Sequence, residues 1–403
     1  MALVSGVRCC SLGRTQGASI SVDMGATEDG ARGRAARPDG TDYVSPSPPK
    51  KRLPPEIFEL PVEKMREGYY TDAYFNHARA TLLEDGRRPR VVMQVFQKHA
   101  AYLGGMDEAI AILKLCSEDW DELTVHALYD GDRVEPYESV MTIEGDYTSF
   151  APLETLYLGV LARRTLITTN VVRVLEAANR KPIIFMPARH DHHRVQTGDG
   201  YAAHVAGQVV GAPIGVTSDA QASWWGGRGV GTVPHALISA YGGNTVLAAT
   251  KFAEWAPEDL NVTVLVDFEN DSVSTALEVA RALGPRLWGV RLDTSESLVD
   301  RSLWNELGDF KPTGVNERLV RKVREALDRD GFERIKIVVS GGFTVEKIRE
   351  FEERGVPVDS YGVGSSLIRG SNDFTADVVL TDGRPSGKVG RAFRSNPRLE
   401  LVE

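Results

Sequence analysis

Apolar residues in the second half of the chain fall in short runs separated by stretches of helical period, the rhythm of parallel strands joined by crossover helices. Six such runs stand at 183–185, 214–216, 262–266, 287–292, 335–339 and 359–363. Behind the third, Val273, Ala276, Leu277, Ala280 and Leu283 share one stripe and Asp271 or Ser272 supplies a cap, so a helix starts there. Another helix starts behind Thr344, puts Ile348 and Phe351 on one face, and stops at Gly355, a residue suited to the left-handed terminator position. The first half reads differently. From Tyr69 to about Thr148, strand patterns at 90–96 and 123–128 mix with short helices and turns such as Asp130-Gly131-Asp132, an α+β organisation. A long helix over 153–178, with Leu156, Val160, Leu161 and Leu166 at mostly three-to-four spacing, bridges the halves.

Both ends of the chain depart from this pattern. The leader is rich in Gly, Ser, Arg and Pro, lacks periodic apolar positions and closes on Ser47-Pro48-Pro49-Lys50-Lys51-Arg52; it reads as disordered, with order beginning near Ile57. Its apolar residues are interrupted by Arg8, Arg14 and Gln16, which disfavours a secretory signal, and Met24 offers a second start. The tail carries an Asp382-Gly383 turn and reads as a short β extension. The chain therefore divides into a disordered leader (1–55), an α+β domain with its bridging helix (56–180), an α/β domain (181–375) and a C-terminal β extension (376–403).

Composition narrows the function classes. With 403 residues, 42% hydrophobic and 26% charged, the chain supports a sizeable core and is neither fibrous nor wholly disordered. A net charge of −9 opposes nonspecific attraction to nucleic acid or an anionic membrane, so an anionic small substrate needs a local basic pocket. No apolar run approaches the roughly 18 residues that span a bilayer. The three cysteines, Cys9, Cys10 and Cys116, give neither a disulfide framework nor paired zinc ligands, and a cytoplasmic setting is expected.

In α/β barrels the loops after the strands share one rim, where the chemistry gathers. Just past the six runs stand Arg189-His190, Thr217-Ser218-Asp219, Asp267, Arg291 to Asp293, Ser340-Gly341-Gly342 and Gly362-Val363-Gly364-Ser365. Polar residues at loop entries are ordinary turn chemistry, but two glycine runs, each between a strand and a helix, offer bare N–H groups to an anion and read as paired phosphate cups. The run Gly226-Gly227-Arg228-Gly229-Val230-Gly231 lacks the strand-glycine-helix context of a dinucleotide fingerprint and reads as a flexible loop feeding His235. His235 is either a hydrogen-bonded structural residue or a nucleophile toward a phosphoryl group. His190-Asp191-His192-His193 lacks structural-zinc spacing and reads as a solvated basic rim.

Taken in order, Thr71-Asp72-Ala73-Tyr74, Glu144-Gly145, Leu153-Glu154-Thr155, Ala188-Arg189-His190, Gly231-Thr232-Val233-Pro234-His235, Val290-Arg291-Leu292-Asp293 and the two glycine runs resemble the nicotinate phosphoribosyltransferases, relatives of the quinolinate and nicotinamide enzymes, over about three hundred residues. The resemblance implies an N-terminal α+β domain on an irregular, incomplete α/β barrel, and a homodimer with shared active sites. It implies nicotinate and 5-phosphoribosyl-1-pyrophosphate as substrates, nicotinate mononucleotide and pyrophosphate as products, and coupling to ATP hydrolysis in NAD biosynthesis. His235 would be the phosphorylated residue, with Arg291 and Asp293 catalytic and Asp293 holding Mg²⁺, directly or through water. Tyr74 would stack on the pyridine from the partner subunit. Arg189, His190, Thr217, Ser218, Asp267, Ser340, Gly341, Gly342, Gly362, Gly364 and Ser365 would bind substrate.

Two features depart from the family pattern: His190 replaces a common second arginine, and the tail lacks the cysteines of relatives with a zinc-bearing module. Within the family, nicotinamide or quinolinate are the alternative pyridines, although Gly-Thr-Val-Pro-His argues against quinolinate. From another class, a non-catalytic phosphoribosyl-binding regulator would keep the barrel and lose the chemistry.

Overall fold

The computed structural model describes residues 51–306, 308 and 310–403. The expected leader lies outside these residues up to position 50, together with Cys9, Cys10 and Met24. Arg52, upstream of the expected start of order near Ile57, is already placed, because its guanidinium has a buried partner. It pairs with Asp107 at 3.0 Å, donates to the carbonyls of Ala127 and Leu128, and covers the Tyr129 ring at 4.0 Å.

Two six-stranded sheets organise the chain. The first follows α1 (Val62–Arg66) and α2 (Ala73–Glu84) and contains β1 (Arg90–Phe96). A ribbon of β2 (Ala101–Tyr102) and β4 (Arg133–Val134) brackets α3 (Met106–Cys116) and β3 (Thr124–Ala127). Then come β5 (Ser139–Asp146), α4 (Tyr147–Phe150) and α5 (Glu154–Ala177). The chain end adds β12 (Thr375–Thr381), β13 (Arg384–Pro385) and β14 (Glu400–Leu401), giving the antiparallel order β13-β12-β1-β5-β3-β14. The C-terminal strands thus pair onto both sides of a sheet begun nearly three hundred residues earlier, a register fixed by contacts such as Val95↔Ala376.

The second sheet is parallel and curls into a half-barrel. Its elements follow in chain order as β6 (Ile183–Phe185), α6 (Gln196–Val210), β7 (Ile214–Val216), α7 (Asp219–Ala222), α8 (His235–Ala240), α9 (Thr245–Trp255), β8 (Val262–Leu265), α10 (Ser272–Leu283), β9 (Leu287–Leu292), α11 (Glu317–Arg329), β10 (Lys336–Val339), α12 (Val345–Glu353) and β11 (Ser360–Val363). Strand order is β7-β6-β11-β10-β9-β8. All six sequence-read strands are therefore present, and all but β7 are mostly buried, β8 and β11 completely, because crossover helices cover the sheet. Asp271 caps α10 by accepting from Ser274 N, and Thr344 caps α12 by accepting from Lys347 N, contacts worth about 1 kcal/mol each.

The bridging helix corrects the predicted stripe. Leu161 is buried, but Leu156, Val160 and Leu166 are only partly covered, while Tyr157, Thr165, Ile167, Thr168, Val171 and Val172 are buried. The reason is that α5 serves two cores: Tyr157 and Leu161 pack into the first, Ile167, Val171 and Leu175 into the second. A helix covered on several sides has no single stripe to read.

The glycine-rich run is pinned, not free. Val230 N donates to Val216 O on β7 at 2.7 Å, and Val233 bridges in parallel to Val264 on β8, its N donating to Thr263 O at 2.9 Å. Residues 230–233 thus connect the two edge strands of the half-barrel. The approach requires glycine: a β-carbon at Gly229 would lie 2.9 Å from the Ser218 carbonyl carbon.

Candidate active site at the strand ends

The candidate residues follow one another around the carboxyl rim in the order of the strands. At the end of β6, His190 lies against the end of β11, where a β-carbon on Gly364 would come within 3.0 Å of His190 Nε2. Gly362 faces the next strand in the same way, with its β-carbon position 3.1 Å from Ser340 Cβ. At the end of β10, Ser340 Oγ donates to Asp293 Oδ1 at 2.7 Å and accepts from Arg291 Nε at 2.7 Å. Arg291 Nη2 also meets Asp293 Oδ2 at 3.2 Å, and Nη1 meets Thr232 Oγ1 at 3.3 Å. Every arm of this guanidinium is held, so its plane is preorganised.

His235 begins α8 behind Pro234, and its Nε2 lies 3.1 Å from Asp267 Oδ1 at the end of β8. Asp267 is 7% exposed and the imidazole 42%, so the carboxylate forms the floor and the ring faces outward. The Asp267 hydrogen bond raises the His235 pKa above the ordinary histidine value, aided by Asp293 and opposed by partial burial and Arg291. In the tautomer whose Nε2–H is donated to Asp267, Nδ1 carries the free lone pair, an arrangement open to nucleophilic attack.

Gly341 and Gly342 take positive φ values of 84° and 71°, which only glycine adopts at little cost. Among the described residues, no protein acceptor takes the N–H groups of Gly341, Gly342 or Gly364. Ser365 opens the short 3₁₀ turn behind Gly364. One neighbour was not foreseen: a β-carbon at Gly342 would overlap the Glu296 carboxylate, so an acidic side chain lies against the first glycine run. Lys347 and Lys311 lie close enough to interact electrostatically, since burial lowers the Lys347 pKa, Glu296 opposes that shift and Lys311 adds to it.

Among the described residues, the remaining candidates make no hydrogen bond to Arg291, Asp293, Ser340 or His235. Arg189 is exposed and makes no hydrogen bond or ion pair among the described residues. Thr217 Oγ1 donates to Gln221 Oε1, while Ser218 Oγ accepts from Gln221 N and donates to Gln196 Oε1, so both hydroxyls serve the turn into α7. Gln221 was legible as the fourth residue of a Ser-x-x-Gln capping box; Thr232 lay inside the Gly-Thr-Val-Pro-His motif without a role of its own, and Gln196 and Glu296 carried no sequence signal. Tyr74, near the start of α2, is 62% exposed. Beside it, burial and the charges of Asp377 and Asp72 push the Glu154 pKa up to about 7. No helix among the described residues is long and apolar enough to cross a membrane.

Comparison with known proteins identifies the family. Residues 72–165 match the family model of the quinolinate phosphoribosyl transferase N-terminal domain. A nicotinate phosphoribosyltransferase of Mycobacterium tuberculosis (pncB1) is 33% identical over 277 residues, 66% of this chain and 56% of that protein. The chain thus spans just over half the length of this curated relative. The structure of a nicotinate-nucleotide pyrophosphorylase from Pyrococcus furiosus superposes with a TM-score of 0.72 at 31% identity, covering 85% of each chain. Human nicotinic acid phosphoribosyltransferase, at 17% identity and a TM-score of 0.58 over 78% of this chain and 75% of its own, shares the fold. The chain belongs to the family of nicotinate and quinolinate phosphoribosyltransferases.

Proposed function

We propose that the chain is a nicotinate phosphoribosyltransferase of NAD biosynthesis, forming nicotinate mononucleotide and pyrophosphate from nicotinate and 5-phosphoribosyl-1-pyrophosphate, with ATP hydrolysis coupled through His235. The observation that carries this reading is the continuous rim from Gly364 and Ser340 through Arg291 and Asp293 to Thr232, with the His235–Asp267 pair beside it. In the reaction the C1–oxygen bond to pyrophosphate breaks with its electron pair leaving on oxygen, and the pyridine nitrogen lone pair forms the new bond to C1. The ribosyl centre gains positive charge as the leaving group gains negative charge, so a fixed guanidinium near the latter lowers the barrier by preorganised electrostatics. Arg291 fills that role, and the glycine runs suit the 5′-phosphate.

Asp267 and Asp293 are hard oxygen donors with partners that leave lone pairs unused, and this donor set fits a Mg²⁺ that retains waters. Such an ion would offset the charge of pyrophosphate when bound. For the ATP half-reaction, His235 Nδ1 attacks the γ-phosphorus, ADP leaves, and water later releases phosphate and restores the imidazole. The added negative charge would change the affinity of the neighbouring site during each cycle. The exposure of Tyr74 fits a ring offered to a second copy, and a homodimer with shared sites follows from this reading. Its setting would be cytoplasmic.

Residues 72–165 also favour a second reading, quinolinate as the pyridine, because their family model is that of the quinolinate enzyme. Incubating the protein with phosphoribosyl pyrophosphate and nicotinate, nicotinamide or quinolinate, with and without ATP, decides by mass spectrometry. ATP-stimulated nicotinate mononucleotide formation from nicotinate alone is expected. Release of carbon dioxide from quinolinate, or no mononucleotide at all, overturns the proposal.

A further inference from the structure

The turn carrying Arg189 and His190 is fixed at three points. Met186 N, at its start, donates to Val363 O at 2.8 Å. Gln196 Nε2 donates to Ala188 O at 3.2 Å, tying the turn to Ser218 through the other end of the same amide. Asp191 closes the turn by accepting from Arg163 Nη2 at 2.6 Å.

Arg163 lies on α5, outside every strand-end loop. Its Nε and Nη2 hold Asp199 on α6 at 2.9 and 2.6 Å, and Asp199 also accepts from Arg164 Nη1 at 2.6 Å. Arg164 is buried against Glu108 of α3, and a β-carbon at Gly198 would overlap its guanidinium, so this ion network is close-packed. Arg163 therefore has one end in an immobile cluster and the other on an exposed turn. A bidentate guanidinium loses little freedom per bond formed and transmits position well.

We infer that Arg163 is a positioning residue for anion binding: it holds the Arg189–His190 turn against Gly364 without touching substrate. The inference rests on the transferase reading, in which Arg189 and His190 bind the phosphoribosyl pyrophosphate substrate. A purely structural Arg163 would tie α5 to α6 and set stability, leaving affinity unchanged.

The test measures calorimetric binding of inorganic pyrophosphate and steady-state turnover for full-length wild type, Arg163→Met, Arg163→Lys, Asp191→Asn, Arg189→Met and Arg163→Met/Arg189→Met. Loss of one charge-assisted contact should weaken pyrophosphate binding about tenfold in Arg163→Met and Asp191→Asn, with KM for the phosphoribosyl substrate rising in parallel and kcat within about twofold. Arg163→Lys should recover part of the affinity. The double variant should bind no worse than Arg189→Met, because both changes remove the same contact. Wild-type affinity in Arg163→Met and Asp191→Asn, or multiplicative losses in the double variant, overturns the inference. Should Arg163→Met fail to fold, Asp191→Asn decides alone, since it alters an exposed side chain. Pyrophosphate binding without mononucleotide formation would sink the transferase reading and leave the positioning comparison intact; no binding by wild type would sink the inference itself.

Discussion

His235 Nε2 and Asp267 Oδ1 lie 3.1 Å apart, joining the start of α8 to the end of edge strand β8. On the ATP-coupled reading proposed above, the pair would give ATP hydrolysis a definite pH dependence. An imidazolium has no lone pair for phosphorus, and Asp267 stabilises the imidazolium, so the acid limb should lie above the ordinary histidine value of 6.5. Asp267→Asn should move that limb to lower pH and slow phosphorylation, and His235→Asn should abolish both ATP hydrolysis and ATP stimulation. Acid-labile label from γ-³²P ATP, measured across pH 5–9, checks this; equal labelling of wild type and His235→Asn would exclude His235 as the acceptor. The same bond stabilises the fold below pH 6.5, and that contribution is lost as pH rises through the raised folded-state pKa.

The Glu296 carboxylate beside Gly342 leads to opposite effects for two neighbouring substitutions. An anion entering the glycine cup meets like charge, so Glu296→Gln should lower KM for the phosphoribosyl substrate several-fold. Gly342→Ala should raise it tenfold or more, because φ is 71° and the new methyl overlaps the carboxylate position. Saturation curves at fixed nicotinate distinguish the two. An unchanged KM in both variants would place the phosphate elsewhere.

The six parallel strands were legible because each is a short apolar run with a polar or glycine end, and the caps at Asp271 and Thr344 fixed the following helices. The partners of β1 were harder to read. Its pairing with β12 joins residues that local pattern cannot relate, and β5 is buried on both faces over its first three residues and alternates only after them. At the site, the glycine runs, Arg291, Asp293 and His235 stood out by position. Thr232 and Glu296 did not, because each is brought to the rim by tertiary contacts: Thr232 by the segment crossing the barrel gap, and Glu296 by an excursion pinned through Gly314 N to Leu298 O. The glycine-rich run reads as a flexible loop and is instead held to β7 and β8, since glycine signals either freedom or close approach and sequence does not separate the two.

Gly229→Ala tests that distinction. The added methyl would strain against the Ser218 backbone and push residues 230–233 off β7, breaking the Val230–Val216 hydrogen bond. A cost of about 1–3 kcal/mol is expected, read as a fall in Tm. The displacement also loosens Thr232 on Arg291, so kcat should fall along with stability. If the run is merely a flexible loop, both quantities will match wild type.

Glu154 opens α5 beside Asp72 and Asp377, and its pKa is pushed up to about 7 by burial first and then by those two charges. In the unfolded chain the same carboxyl titrates near its ordinary value of 4.5. Between these limits the native state binds more protons than the unfolded state, so stability falls as pH rises from 4.5 to 7 and stays reduced above it. Glu154→Gln removes this titration while keeping the side chain's size. The variant should therefore be close to wild type at pH 4 and more stable at pH 8, by about 1–3 kcal/mol. Urea denaturation at both pH values measures the difference. Because Glu154 also raises the Tyr74 phenol pKa, behind burial and Asp72, the substitution should shift the tyrosinate titration of that residue downward. Equal stabilisation at pH 4 and pH 8 would show that the gain came from packing and not from removing a buried charge.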